Sequence, residues 1–164
     1  MNNIFFIIML AVLLSPGDVF PAQIGELAPS FKVTDLSNKI VALNDLKEKI
    51  ALLTFWAPWC VPCKDELPEF ERLYKKYRDK GFVVIGISVE TSASGVSSFL
   101  RKAPVTFPVV IDGNGRIAES YRVTGLPASF LVDKTGTVRK RYWGFEKSSL
   151  SNYETDINSL LMQQ

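Results

Sequence analysis

Two short apolar runs, IALLTFW from Ile50 to Trp56 and FVVIGISV from Phe82 to Val89, constrain this chain more than any other feature. Each has the length of a strand, and neither alternates polar with apolar residues. Near-continuous runs rich in β-branched and aromatic residues belong to strands covered on both faces. Between them PCKDELPEFERLYKKYRDK carries helical spacing: Leu67, Phe70, Leu73, Tyr74 and Tyr77 share one face, and Gly81 is a natural stop. A strand, a helix and a second buried strand in this order predict a right-handed βαβ unit. The helix's charges follow its dipole, with Asp65, Glu66, Glu69 and Glu71 early and Lys75, Lys76, Arg78 and Lys80 late. Pro68 predicts a kink inside it.

The remaining segments fit around that unit. Ser30 to Asp35 and Lys39 to Leu43 read as a hairpin about Leu36-Ser37-Asn38. Ser92 to Ala103 is a weaker helix with Val96, Phe99 and Leu100 inward, ended by Pro104. Phe107 to Ile111 is a third strand, and after the turn Asp112-Gly113-Asn114-Gly115 a short helix is expected over Arg116 to Tyr121. Pro127 to Val132 and Thr137 to Trp143 are strands joined by Asp133-Lys134-Thr135-Gly136. A last amphipathic helix puts Leu150, Tyr153, Ile157, Leu160 and Leu161 on one face, with candidate N-caps in Ser148 to Ser151. The pattern is a mixed α/β sandwich, with parallel strands first and an antiparallel hairpin at the end. With 164 residues, 47% of them hydrophobic, the chain suits one domain with a real core. Nineteen basic and seventeen acidic residues leave a net charge of only +2, too balanced for a nucleic-acid partner. The cluster Arg139-Lys140-Arg141 is most simply one polar end of a strand.

Residues 1–22 stand apart from the domain expected over 23–164. IFFIIMLAVLL, from Ile4 to Leu14, fits the core of a signal peptide and is too short for an ordinary membrane span. The leading Met-Asn-Asn carries no Lys or Arg, and no clean A-x-A cleavage site follows. Export by a signal peptide is the expectation, with an uncleaved membrane anchor or a buried N-terminal helix as alternatives. Export places the chain outside the cytoplasm, in the periplasm or on the outer face of the membrane, where an unprotected cysteine pair is found oxidised unless something reduces it.

Both cysteines of the chain lie in Trp56-Ala57-Pro58-Trp59-Cys60-Val61-Pro62-Cys63. A bridge between them closes so small a loop that it would hold little structure together. A metal site needs more soft ligands, and the chain has no histidine. The pair reads instead as redox chemistry. Cys60 sits where a strand hands over to a helix, and the free N–H groups and partial positive charge of a first helical turn favour thiolate over thiol. Pro62 suits that turn, because its missing N–H costs nothing there. A thiolate at Cys60, at the exposed helix tip, can attack a partner disulfide, and Cys63, one turn inward, can resolve the mixed disulfide. Glu66 shares a helix face with Cys63, so its carboxyl is a candidate proton relay; the alternative is a solvated member of the helix's acidic first turns.

TFWAPWCVPCKDELP followed by VTGLPASFLVDKTG resembles the thioredoxin superfamily, in its TlpA/ResA-like branch of exported thiol-disulfide oxidoreductases, over about Gln23 to Leu161. The resemblance implies a thioredoxin-like fold, a central mixed β-sheet flanked by helices, with an N-terminal β-hairpin extension. It implies that Pro127 is the family's cis-proline, set against the cysteines, and that the backbone of Leu126 is left free to pair with substrate. Otherwise a strand-initiating proline would be the expectation. Trp59 is implied to be part of the apolar rim that docks partner proteins, the alternative being core packing. Glu66 matches the acid this branch carries three residues after the second cysteine. Thr54 departs from thioredoxin proper, which has a buried acid at that strand position, so Glu66 or water must take its place. No bound cofactor is implied. The implied partners are protein thiol and disulfide clients, apocytochrome c cysteines among them, with a membrane thiol reductase as electron donor and the leader touching the membrane at least transiently.

The activity expected is therefore dithiol-disulfide exchange, in the reducing direction. Val61 and Pro62 between the cysteines do not fix a potential, so a thiol oxidase or isomerase stays open. A thiol peroxidase would need the pattern P-x-x-x-[TS]-x-x-C, with Pro at position 53 and Thr or Ser at 57; the chain has Leu53 and Ala57. A non-catalytic module that only holds a client is the alternative of a different class, and the intact cysteines argue against it.

Overall fold

The computed structural model describes residues 22–163. The leader expected over 1–22 thus lies outside the described residues except for Ala22, which is buried and donates its N–H to the Ser120 carbonyl at 3.3 Å.

A small antiparallel hairpin, β1 (Lys32–Thr34) and β2 (Ile40–Ala42), comes first. The βαβ unit follows as β3 (Ile50–Trp56), α1 (Val61–Tyr77) and β4 (Phe82–Ser88). Then come α2 (Ala93–Lys102), β5 (Val109–Ile111), α3 (Arg116–Ser120), β6 (Ala128–Val132), β7 (Val138–Trp143) and α4 (Leu150–Met162). The five-stranded sheet runs β5-β4-β3-β6-β7. β3, β4 and β5 are parallel, while β6 and β7 are antiparallel to their neighbours.

All seven residues of β3 are buried, which explains why its sequence shows no alternation. One sheet face packs Leu52, Trp56, Val84 and Leu131 against Leu67, Phe70 and Leu73 of α1 and Tyr153 and Ile157 of α4. The other packs Leu53, Phe55, Ile85, Ile87 and Phe130 against Ile117, Tyr121 and Val41. Gly86 sits mid-strand on β4 for a packing reason: a Cβ there would come within 3.2 Å of Phe107 and the Trp56 indole nitrogen. Both sheet edges are partly blocked. The hairpin tip closes on β5 through the Leu36 N–H to the Val109 carbonyl at 3.0 Å, and Gly25 and Glu26 pair with Val138 of β7 at 2.8 and 2.9 Å.

Element identities follow the sequence, but the bounds move for identifiable reasons. β5 starts at Val109 and β6 at Ala128 because Pro108 and Pro127 cannot donate to a ladder. α1 begins one residue before Pro62 and continues through Pro68 as one helix to Tyr77; a 3-10 turn then ends at Gly81, with φ of 90°. Arg139 and Lys140 pair with Asp133 and Asp156, and the Arg141 guanidinium lies over the rings of Phe130 and Trp143 at 5.5 and 5.2 Å. That cluster is a structured strand edge.

Phe70 joins α1 to α4, being fully buried with edge-to-face contacts to Tyr153 at 5.1 Å and Phe145 at 6.0 Å. Phe70→Ala is expected to destabilise the domain by about 3–5 kcal/mol through lost transfer energy and the cavity left behind. Urea unfolding checks this, with a lowered midpoint and an unchanged slope.

Candidate active site

β3 delivers the chain to the rim of the sheet, where Ala57 to Trp59 turn it into α1 and the Cys60 N–H donates to the Ala57 carbonyl at 3.0 Å. Cys60 is the N-cap residue, with extended backbone, and no side chain caps the helix. The first-turn N–H groups are therefore left for whatever charge develops at Cys60. Cys60 and Cys63 are joined as a disulfide, with their Cα atoms 5.3 Å apart.

The sequence placed Cys60 at an exposed helix tip, but it is only 5% accessible, and Cys63 is fully buried. The exposed groups are its neighbours Trp59 and Val61, at 64% and 70%. Cys60 is instead part of a groove of about 670 Å³, where Trp59, Val61 and Pro62 face Val89, Ala118, Val123 and Leu126. Trp59, Cys60 and Leu126 thus line one groove. The Leu126–Pro127 peptide is cis, and among the described residues the Leu126 N–H and C=O make no backbone hydrogen bond. Val89, Ala118 and Val123 are groove residues that no sequence signal singled out, since each reads as ordinary core.

Glu66 lies deeper. A solvated position was one expectation for it, but its side chain is wholly buried. Thr54 Oγ1 donates to Glu66 Oε2 at 2.9 Å, and Ser129 Oγ donates to Oε1 at 3.3 Å. Thr54 and Ser129 are direct register partners on β3 and β6, so the two hydroxyls form one row beneath α1. Burial pushes the Glu66 carboxyl up to about 8, against the lowering effect of the two hydroxyls. The site therefore holds a disulfide at a helix start, an apolar groove beside it and a carboxyl poised near neutrality beneath it. Ser129 was not recognised from sequence, although a signal exists: Thr54 and Ser129 are the single polar residues in two otherwise apolar strands.

A cysteine pair at a β–α junction facing a cis-proline loop, on a central mixed sheet flanked by helices, defines a thioredoxin-like thiol-disulfide oxidoreductase. The chain belongs to the AhpC/TSA family, which it matches over residues 24–141. It is 42% identical over 132 residues to the thiol-disulfide oxidoreductase ResA of Bacillus anthracis, covering 80% of this chain and 76% of that protein. With the ResA protein of Bacillus subtilis (strain 168) it shares 36% over 126 residues, covering 77% and 70%. Among solved structures, a candidate thiol:disulfide interchange protein DsbE from Chlorobium tepidum superposes with a TM-score of 0.82 at 31% identity, covering 85% of this chain and 99% of the other. The fold and the general activity, an enzyme of thiol-disulfide exchange acting on protein thiols, are those of its relatives.

The raised pKa of Glu66 has a consequence for stability. Unfolded, the carboxyl releases its proton near 4.5; folded, it holds it until about 8. Between those values the native state binds the extra proton, so stability falls as pH rises, and the loss is complete above 8. Glu66→Gln removes this slope. Relative to the parent, the variant is expected to gain stability between pH 5 and 8, on the order of a few kcal/mol. Parallel urea titrations of the oxidised proteins at several pH values measure it, and parallel pH dependences for the two would contradict the assignment.

Proposed function

We propose that the chain exchanges disulfides with protein substrates through Cys60 and Cys63, acting as a reductase outside the cytoplasm. The observation that carries this reading is the Cys60–Cys63 pair at the uncapped start of α1, bordering an apolar groove, with a buried carboxyl one turn further on. In the proposed cycle the Cys60 thiolate attacks a substrate disulfide and releases one substrate thiol. Cys63 then gives its proton to the Glu66 carboxylate and attacks Cys60 Sγ, releasing the second thiol and closing the Cys60–Cys63 disulfide. A carboxyl pushed up to about 8 suits this step, since burial makes it a far stronger proton acceptor than an ordinary carboxylate. Trp59 supplies an exposed apolar contact for the client, and the unpaired Leu126 backbone beside Pro127 offers a donor and an acceptor to an extended substrate strand.

Direction and setting rest on the resemblance to the exported TlpA/ResA-like branch. Apocytochrome c cysteines fit as clients and a membrane thiol reductase as donor, with residues 1–22 as signal peptide or anchor and 23–164 as the domain.

Cys63→Ser is expected to accumulate mixed disulfides with client peptides, because nothing resolves the intermediate, whereas Cys60→Ser forms none. Non-reducing electrophoresis with mass spectrometry reads both; a Cys60→Ser variant that still captures clients would point to a pure binding module. The reduction potential, set against glutathione or dithiothreitol buffers, is expected near the roughly −270 mV of thioredoxin. A value near the roughly −120 mV of DsbA would make the protein an oxidase or isomerase.

A further inference from the structure

Glu66 is not the one buried polar group beneath α1. Tyr153 of α4 is 1% exposed, and among the described residues its hydroxyl has no hydrogen-bond partner. A buried hydroxyl left unpaired is costly, and natural cores keep few of them. Its ring is fixed by stacking on Tyr142, with centroids 3.9 Å apart, and by the edge contact with Phe70 at 5.1 Å. The hydroxyl therefore has little freedom to find a partner elsewhere. Tyr142, the register partner of Ser129 on β7, does not compete for it, because its own hydroxyl donates to Asp156 Oδ2 at 2.7 Å.

The donor inventory around the carboxyl is complementary. Ser129 spends its single O–H on Glu66 and keeps lone pairs free, while Tyr153 has an unspent O–H. Burial first, and then the Glu66 charge, hold the Tyr153 phenol above its ordinary range, so it stays a protonated donor, while the Ser129 hydroxyl acts on it in the opposite sense. Tyr142, on which the Tyr153 ring stacks, is the ladder partner of Ser129, so the fold sets Tyr153 beside that strand position. Thr54 from β3 and Ser129 from β6 bond to Glu66, Tyr153 from α4 feels its charge, and Cys63 is one turn back on α1. Beyond them lie Tyr142 of β7 and Asp156, which pairs with Lys140. Among the described residues no lysine or arginine pairs with Glu66.

We propose that Tyr153 is a positioning residue for the Glu66 carboxylate: its hydroxyl donates to Ser129 Oγ when Glu66 ionises, holding Ser129 as a donor to Oε1. Donors in series strengthen one another in a low-dielectric core, so the ionised form gains and the proton leaves at lower pH. The proposal rests on the reading of Glu66 as the proton acceptor of Cys63, and the test separates the two.

The experiment follows the Glu66 side-chain carbon by NMR in full-length reduced protein carrying 13C-glutamate, assigned by its loss in Glu66→Gln. Ser129→Ala is expected to raise the Glu66 midpoint by about one pH unit, and Tyr153→Phe by about half a unit. The double variant is expected to match Ser129→Ala alone, because Tyr153 acts only through Ser129. An unmoved midpoint in Tyr153→Phe, or additive shifts in the double variant, would overturn the proposal. A purely structural hydroxyl predicts no such shift, since it has no bond to lose. The pH profile of exchange is expected to move with the midpoint. If the midpoint moves and the profile does not, the positioning stands and the proton-acceptor role of Glu66 falls.

Discussion

Everything in this molecule is referred to a strand with no free side. β3 is paired along its length with parallel β4 on one edge and antiparallel β6 on the other, and both faces are covered by core. A strand in that position cannot slide, since a one-residue slip would exchange its two buried faces. Its end is therefore a fixed point, and the turn from Trp56 to Cys60 starts there. The chemistry of the site depends on this. A helix start presents useful N–H groups only if its first residue is held in place, and here the holding is done by the most constrained strand of the sheet.

Legibility in the sequence followed the same hierarchy. IALLTFW, the α1 face from Leu67 to Tyr77 and FVVIGISV gave the central unit because burial writes itself directly into hydropathy and period. Strand ends were less visible. The ladders begin after Pro108 and Pro127 and not at them, because a missing N–H ends pairing even where the flanking residue is buried. The cysteines were unmistakable, yet the exposure of Cys60 was misjudged. Whether a helix tip is open depends on which loop faces it, here Val123 to Leu126, some sixty residues further along the chain.

Glu66 shows what pattern reading misses. On a helical wheel its shared face with Cys63 sets it apart from Asp65 and Glu69, but the pattern leaves a solvated position open. Its burial is decided across the core, by two hydroxyls on strands 12 and 63 residues away in sequence. Each is a lone polar residue in an apolar strand, a weak signal taken singly. Only the register that sets Thr54 opposite Ser129 turns the two into one cradle.

That cradle also accounts for the departure at position 54. Where thioredoxin proper is expected to carry an acid on the strand, this chain carries Thr54, and the Glu66 carboxyl reaches back to the same place from the helix. The two arrangements are not equivalent. An acid on the strand has its distance to the cysteines set by how the helix packs on the sheet. An acid three residues after Cys63 has that distance set by the helix itself, since i and i+3 share a face whatever the packing. The cost is a carboxyl carried wholly out of water, and the hydroxyls of Thr54 and Ser129 offset only part of it, leaving the group at about 8. The offset is therefore the adjustable quantity: each hydroxyl given to the carboxylate lowers the pH at which it releases a proton, without moving either cysteine.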